Sequence, residues 1–402
     1  MKRRTYLSGA LAVAIAGCSS TDESDETGNG GTNGESGDEN EAESFDDFET
    51  LGAWEAVLGS LSADEDRAVT GSQSAKLESG DDDQSRIVRE LSEPRDLSGT
   101  RPALAMATET AADFVIQLLD ADGDRIEFRQ RILGGTPLVQ CNFGIAAVDG
   151  DPDLSAVTEI QLLRWTGEDD KGPVWVDDLR FVPAPDTGTI VLQFDGGYET
   201  DYTRALPVLE EYDYPAVSFV TTGRIREDEG DEGDHLVREQ VAKLSDAGWT
   251  IASHSAHGTD LADPPDGRDP ETEIRDAIAW LEDNGFEEGA RYFSYPLGRY
   301  DGRTLDLVAE HHDLAFAGRS PSQGVAANPY LCSRVTDPDL EHARSVLELT
   351  AEWGGITSLA FGELDADSQS TLEATVEHLH ELESAGDLEV VLPAALDVSS
   401  GR

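Results

Sequence analysis

Three stretches of this 402-residue chain carry side chains whose types and spacing could do chemistry. In residues 189–203, TIVLQFDGGYETDYT, a β-branched apolar run (Ile190, Val191, Leu192) ends at Phe194-Asp195 and is broken by two glycines. Such a run reads as a buried parallel strand that delivers a carboxylate to its C-terminal mouth, the place where α/β folds keep their chemistry. The plainer alternative is an acid that opens a turn at the strand end. The second stretch, His254-Ser255-Ala256-His257-Gly258-Thr259-Asp260-Leu261, follows another strand-like run. Two imidazoles three residues apart can reach one metal ion from a helical turn. The third, Phe293-Ser294-Tyr295-Pro296-Leu297-Gly298, is a short strand ending in a Tyr-Pro-x-Gly turn.

The elements that must position these groups follow from periodicity. From 189 to 398 the chain alternates between strand and helix patterns. Strands are predicted at 189–195, 216–221, 250–254, 292–295, 314–317, 356–361 and 388–392, with helices at 202–212, 236–247, 270–284, 303–311 and 368–385. Repeated units of this kind predict a closed or nearly closed parallel barrel. Residues 184–188 read as a linker. Before it, 44–183 shows short apolar alternations between Asp/Gly turns and little helical period, the pattern of an antiparallel β-sandwich.

Taken in order, the three stretches resemble the motifs of the polysaccharide deacetylase (NodB-homology) family of carbohydrate esterases, over roughly residues 187–398. The resemblance implies an irregular (β/α) barrel of about seven strands. It also implies removal of acetyl groups from sugar amides or esters by a divalent metal, usually zinc, that polarises the carbonyl and activates water. Asp195 falls on the family's base, His254 on its first metal histidine and Leu261 on a matching leucine. The second metal Asp is Gly196, and the second metal histidine is expected at Gly258, one residue beyond His257. The family's arginine that orients the base is Ser294 here. Its acid histidine, which ends a late strand, is Gly362 after Leu359-Ala360-Phe361. The expected site is therefore Asp195 as base, His254 and His257 as metal ligands, and the Leu297 N–H as oxyanion donor, with Tyr198, Tyr295 and Pro296 against substrate. Two functions follow: a surface deacetylase with a rebuilt site, or a glycan-binding protein that no longer turns its ligand over.

The ends of the sandwich, Phe45-Asp46-Asp47-Phe48 and Trp175-Val176-Asp177-Asp178, resemble those of jelly-roll carbohydrate-binding modules. That likeness implies a structural calcium held by Asp46 and Asp177, with neighbouring Asp47 and Asp178, and a sugar-stacking aromatic in Trp54 or Trp165.

Eighty-three acidic residues against 29 basic give a formal charge of −54. With no basic stripe to neutralise phosphates, nucleic acid is excluded as a partner. Acid spread over both halves reads as a surface adapted to molar salt. Residues 1–18 have a basic start (Lys2, Arg3, Arg4), a short apolar stretch and Ala16-Gly17-Cys18. They read as a twin-arginine-like lipoprotein signal, too short to span a bilayer, with Cys18 lipidated. The protein is thus expected to be exported and lipid-anchored on the outer face of the membrane. Residues 19–43 would form a polar tether. Cys141 and Cys332 are expected to be buried free thiols.

Overall fold

The computed structural model describes residues 44–80, 83–165, 172–185, 187–318 and 324–396. The expected signal with Cys18, the 19–43 tether and Asp186 of the linker lie outside the described residues. Two antiparallel sheets form first. Their strands are β1 (Ser44–Asp46), β2 (Glu55–Leu58), β3 (Ser60–Asp64), β4 (Ser74–Glu78), β5 (Gln84–Arg95), β6 (Thr100–Thr108), β7 (Ala112–Leu119), β8 (Arg125–Ile132), β9 (Val139–Asn142), β10 (Gly144–Asp149), β11 (Val157–Trp165) and β12 (Val174–Pro183). One sheet runs β3-β4-β12-β6-β9 with β1 on β12, the other β10-β8-β7-β11-β5-β2.

Alternation drives the pairing. In β8, Ile126, Phe128, Gln130 and Ile132 turn inward while the residues between them stay more exposed. Leu104, Met106 and Val176 of one sheet share a core with Phe114, Ile116 and Leu162 of the other. Trp54 belongs to that core, stacked on Phe48 at 5.6 Å, so it is not a sugar platform; Trp165 is half exposed. The two carboxylates expected to hold calcium are engaged within the sandwich. Asp46 already accepts from the Phe48 N–H, the Trp54 indole and Arg89. Asp177 accepts from the backbone of Val69 and Thr70 and from the Thr70 hydroxyl.

After Pro183 the chain builds a parallel sheet: β13 (Gly188–Gly196), β14 (Val217–Val220), β15 (Thr250–Ser253), β16 (Tyr292–Ser294), β17 (Leu314–Phe316), β18 (Val335–Thr336), β19 (Ile356–Phe361) and β20 (Leu388–Val390). The order is β17-β16-β15-β14-β13-β19-β18, with β20 also on β13. This curled sheet has eight strands rather than the expected seven or so. Among the described residues, edge strand β17 is bridged through Phe316 to Cys332, in the segment that leads into β18.

The covering helices are α1 (Leu206–Glu210), α2 (Arg238–Asp246), α3 (Pro270–Asp283), α4 (Gly302–His311), α5 (Leu340–Trp353) and α6 (Ala366–Ala385). Helix α3 shows why they form. Asp269 caps the Thr272 N–H, Pro270 sits in the first turn where no N–H is needed, and Ile274, Ala277 and Leu281 make one buried face. The helix predicted at 202–212 is instead a π-helical turn, Asp201–Ala205, running into α1. Neither α5 nor β18 was expected.

Candidate functional site

The register of the sheet brings the candidate groups together. Ser253 of β15 lies opposite Phe293 of β16, so the residues that follow them, His254 and Ser294, are neighbours at the strand mouths. Asp195, near the end of β13, faces the same space. Ser294 Oγ lies 3.0 Å from Asp195 Oδ1 and 3.1 Å from His254 Nδ1. A hydroxyl has one proton to give. Ser294 donates it to the carboxylate and accepts from the His254 Nδ1–H, which leaves His254 Nε2 as a free lone pair.

Arg334 completes the group. It enters from just before β18 and donates one hydrogen bond to Asp195 Oδ1 (2.8 Å), while its other terminal nitrogen makes an ion pair with Oδ2, also at 2.8 Å. Arg334 is 2% exposed. A charge-assisted bond of this kind, with the second nitrogen close to the other oxygen, is among the stronger forms of carboxylate recognition. Burial alone would raise the Asp195 carboxyl, but Arg334, His254 and the Ser294 hydroxyl outweigh it and hold the group below the usual carboxylate range. Burial pushes the His254 imidazole down, against the attraction of Asp195, so the neutral ring is favoured.

Asp195, His254 and Arg334 line a cavity of about 260 Å³, together with Tyr198, Arg224, His235, Leu297, Asp337 and Glu363. That is at the small end of ligand pockets, which run to roughly 300–1,000 Å³. Leu297 adopts a left-handed backbone (φ 59°) and is well exposed, and its N–H has no partner among the described residues, as an oxyanion donor requires. Tyr198 packs on His235 with ring centroids 4.7 Å apart, and His235 Nδ1 lies 2.6 Å from Asp234. Burial lowers the His235 imidazole despite that carboxylate.

Several expected residues stand elsewhere. Tyr295 is fully buried against Phe293 and Tyr300, and Pro296 is buried with it, so neither touches the cavity. His257 does not line the cavity beside His254. Its backbone N–H and Nδ1 both engage the buried Glu273 carboxylate of α3, at 2.9 and 3.0 Å. Cys141 and Cys332 are buried free thiols, as expected, each pushed up to about 12 by burial.

The donor set does not fit the metal that the sequence resemblance implied. Gly196, Gly258 and Gly362, at the positions of the metal Asp, the second metal His and the acid His, all line the cavity. What is missing there is a side chain. At Gly196 (φ +100°) a Cβ would meet the Tyr198 ring at 2.5 Å, so the tyrosine fills the space an aspartate would need. At Gly258 (φ +64°) a Cβ would meet Thr221 Oγ1 at 3.0 Å. His254 Nε2 is one open donor, and Asp195 is already neutralised by Arg334. Among the described residues no trio of His, Cys, Asp or Glu is grouped to hold a metal ion.

Arg334, Arg224, His235 and Glu273 were not anticipated. The loss of the orienting arginine at Ser294 was the one available signal: a buried Asp195 without it needs a cation from elsewhere.

Residues 183–314 match the model of the family described as Polysaccharide deacetylase. The putative polysaccharide deacetylase YxkH of Bacillus subtilis (strain 168) is 32% identical over 124 residues, which is 30% of this chain and 41% of the relative. The chain thus spans about two fifths of that curated protein's length. Among solved structures, the Streptococcus pyogenes deacetylase PplD in complex with acetate is similar at 24% identity, over 36% of this chain and 62% of that one, with a TM-score of 0.32. A family 4 carbohydrate esterase from Streptomyces lividans in complex with acetate is similar at 13% identity, over 52% and 94%, with a TM-score of 0.37. The match to the polysaccharide deacetylase family thus lies within the carboxyl-terminal half, over residues 183–314.

Proposed function

We propose that this domain receives an acetylated sugar of a cell-surface glycan at the strand-mouth cavity and binds it without the family's metal-dependent turnover. One observation carries the reading: Arg334 engages both Asp195 oxygens, one by a hydrogen bond and one by an ion pair, while the three positions for the other metal ligands and the acid are glycines. An aspartate held below its usual range and tied at both oxygens is a poor base for a water proton. The free Leu297 N–H and the cavity's polar lining remain suited to an acetyl carbonyl. We further place the protein on the outer face of the membrane, anchored through Cys18.

A second reading, slow hydrolysis without metal, is favoured by the Asp234–His235 pair, whose imidazole lines the same cavity.

The test is a triple measurement on protein purified in molar salt without chelator. Metal content is compared between wild type and His254→Ala, binding of N-acetylated against de-N-acetylated oligosaccharides is followed by calorimetry, and acetate release is assayed. The binding reading expects no stoichiometric metal, saturable binding of the acetylated ligand alone, and no acetate. Stoichiometric metal lost in His254→Ala would overturn it in favour of a metallo-hydrolase. Acetate released without metal, and abolished in His235→Ala, would establish the second reading.

A further inference from the structure

The sequence casts the sandwich as an appended module, and the seam beneath Arg334 gives it another role. The segment 324–334, which leads into β18, lies as a strap between the two halves. Asn142 at the end of β9 is 2% exposed and spends its whole side chain on that strap. Its amide donates to the carbonyls of Asn328 (2.9 Å) and Leu331 (3.1 Å), and its carbonyl accepts the Asn328 N–H (2.8 Å). Asn328 answers by donating its own amide to the Gln140 carbonyl at 2.8 Å. Gln130 of β8 reaches Ser333 Oγ at 3.0 Å, one residue before Arg334. At Gly324 a Cβ would sit 2.8 Å from the Phe143 carbonyl, so the strap's backbone runs directly against the sandwich.

We infer that Asn142 is a positioning residue: by fixing the strap's register through Asn328 and Leu331, the sandwich places Arg334 against Asp195 and is thereby a working part of the pocket.

The register argument is geometric. Side chains alternate along the extended residues that run from Cys332 into β18 after the 3-10 turn Pro329–Leu331, so a slip of one residue there turns Arg334 away from the strand mouth. On the barrel side the strap is held at Gly324, which exchanges two backbone hydrogen bonds with Ile356 (3.2 and 2.8 Å), at Cys332, which bonds Ala315 and Ala317 (2.9 Å each), and by the two-residue β18, which pairs with Leu359 and Ala360 of β19. Between Gly324 and Arg334, the side chains that add fixed points at 328, 331 and 333 come from the sandwich. Fully satisfied buried amides specify one arrangement, because any slip strands polar groups without partners.

The experiment reads the Asp195 carboxyl directly, by NMR titration of full-length protein carrying carboxyl-labelled aspartate in molar salt, with Asp195→Asn to assign the signal. In Arg334→Ala the Asp195 titration is expected to move upward, since burial is then less opposed. In Asn142→Ala it is expected to move the same way by a factor of ten or more in proton affinity, and the double variant should go no further than Arg334→Ala alone. Ile160→Val, a core truncation on β11 away from the strap, should leave the signal in place. Gln130→Ala, the mildest variant, should give a smaller shift of the same sign and covers the case in which Asn142→Ala does not fold. If Arg334→Ala moves Asp195 while Asn142→Ala, or Gln130→Ala in its stead, leaves it at the wild-type value, the proposal is overturned. Equal shifts in Ile160→Val would also overturn it, since general loosening would then be the cause.

Discussion

Arg334 and Asp195 are a buried pair whose value lies in completeness: breaking one partner leaves the other charged and desolvated. Arg334→Ala should therefore cost about 3–5 kcal/mol of stability, measured by denaturant unfolding at constant high salt. Arg334→Lys should recover only part of this, because an ammonium cannot match both carboxylate oxygens. The pH dependence has a defined sign. Asp195 is depressed in the folded state, so its stabilising share is present above the unfolded value of about 3.9 and is lost as pH falls through the lower folded value. Arg334→Ala should flatten that part of the acid limb. The glycines around the cavity make a second, steric prediction. Gly362 would meet only Asp337 Oδ1, at 3.7 Å, if a Cβ were added, whereas Gly196 must keep φ +100° and faces the Tyr198 ring. Gly362→His should fold with a melting temperature near wild type, and Gly196→Asp should lose several degrees. Equal losses would mean that Tyr198 does not fill the Gly196 position.

At the scale of elements, the π-helical turn Asp201–Ala205 carries a carboxyl wholly inside the protein. Asp201 Oδ2 accepts from Ser218 at 2.7 Å, while Oδ1 is buried with no partner. Burial, with Asp195 nearby, pushes this carboxyl up to about 8. The folded state then keeps a proton that the unfolded chain releases near pH 3.9, so stability falls as pH rises between about 3.9 and 8. Asp201→Asn, close in shape to the protonated acid, should remove that slope and melt higher than wild type at pH 8. Parallel melting curves for the two proteins from pH 5 to 8 would show that Asp201 ionises normally. The same turn shows where sequence reading stopped. Leu206, Val208 and Leu209 announce a helix at 202–212, but nothing in their spacing marks an inserted residue in the first turn. Strand β13 was legible because a long β-branched run ends in an acid and two glycines. β18 was not, because two residues beside Pro338 carry no period, and α5 behind it went unseen with it. Arg334 lies in that blank stretch, which is why the cation that Asp195 needs could be deduced as missing from Ser294 but not located. His257 shows the converse, since its spacing suggested a metal role while its Nδ1 is engaged by Glu273, on a separate helix.

The whole molecule carries 83 acidic residues against 29 basic ones, a formal charge of −54. Self-repulsion of that size opposes any compact state, and it is long-ranged unless salt intervenes. The Debye length falls from about 10 Å at 0.1 M to about 3 Å at 1 M, so surface acids stop sensing one another only in concentrated salt. The buried pair in the pocket is screened far less, because Arg334 is nearly sealed from solvent. Two behaviours should therefore separate. The melting temperature should climb steadily between 0.1 and 3 M potassium chloride, with sodium chloride close behind, while sucrose at matched osmolality should give a smaller rise. The Asp195 carboxyl titration should move little over the range of salt in which the fold stays intact. A melting temperature indifferent to salt would refute the halophilic reading of the surface. A pocket carboxyl that drifts upward with added salt, while the fold holds, would show that Asp195 and Arg334 are more open to water than their burial implies, and that sealing by the sandwich seam does not protect the pair.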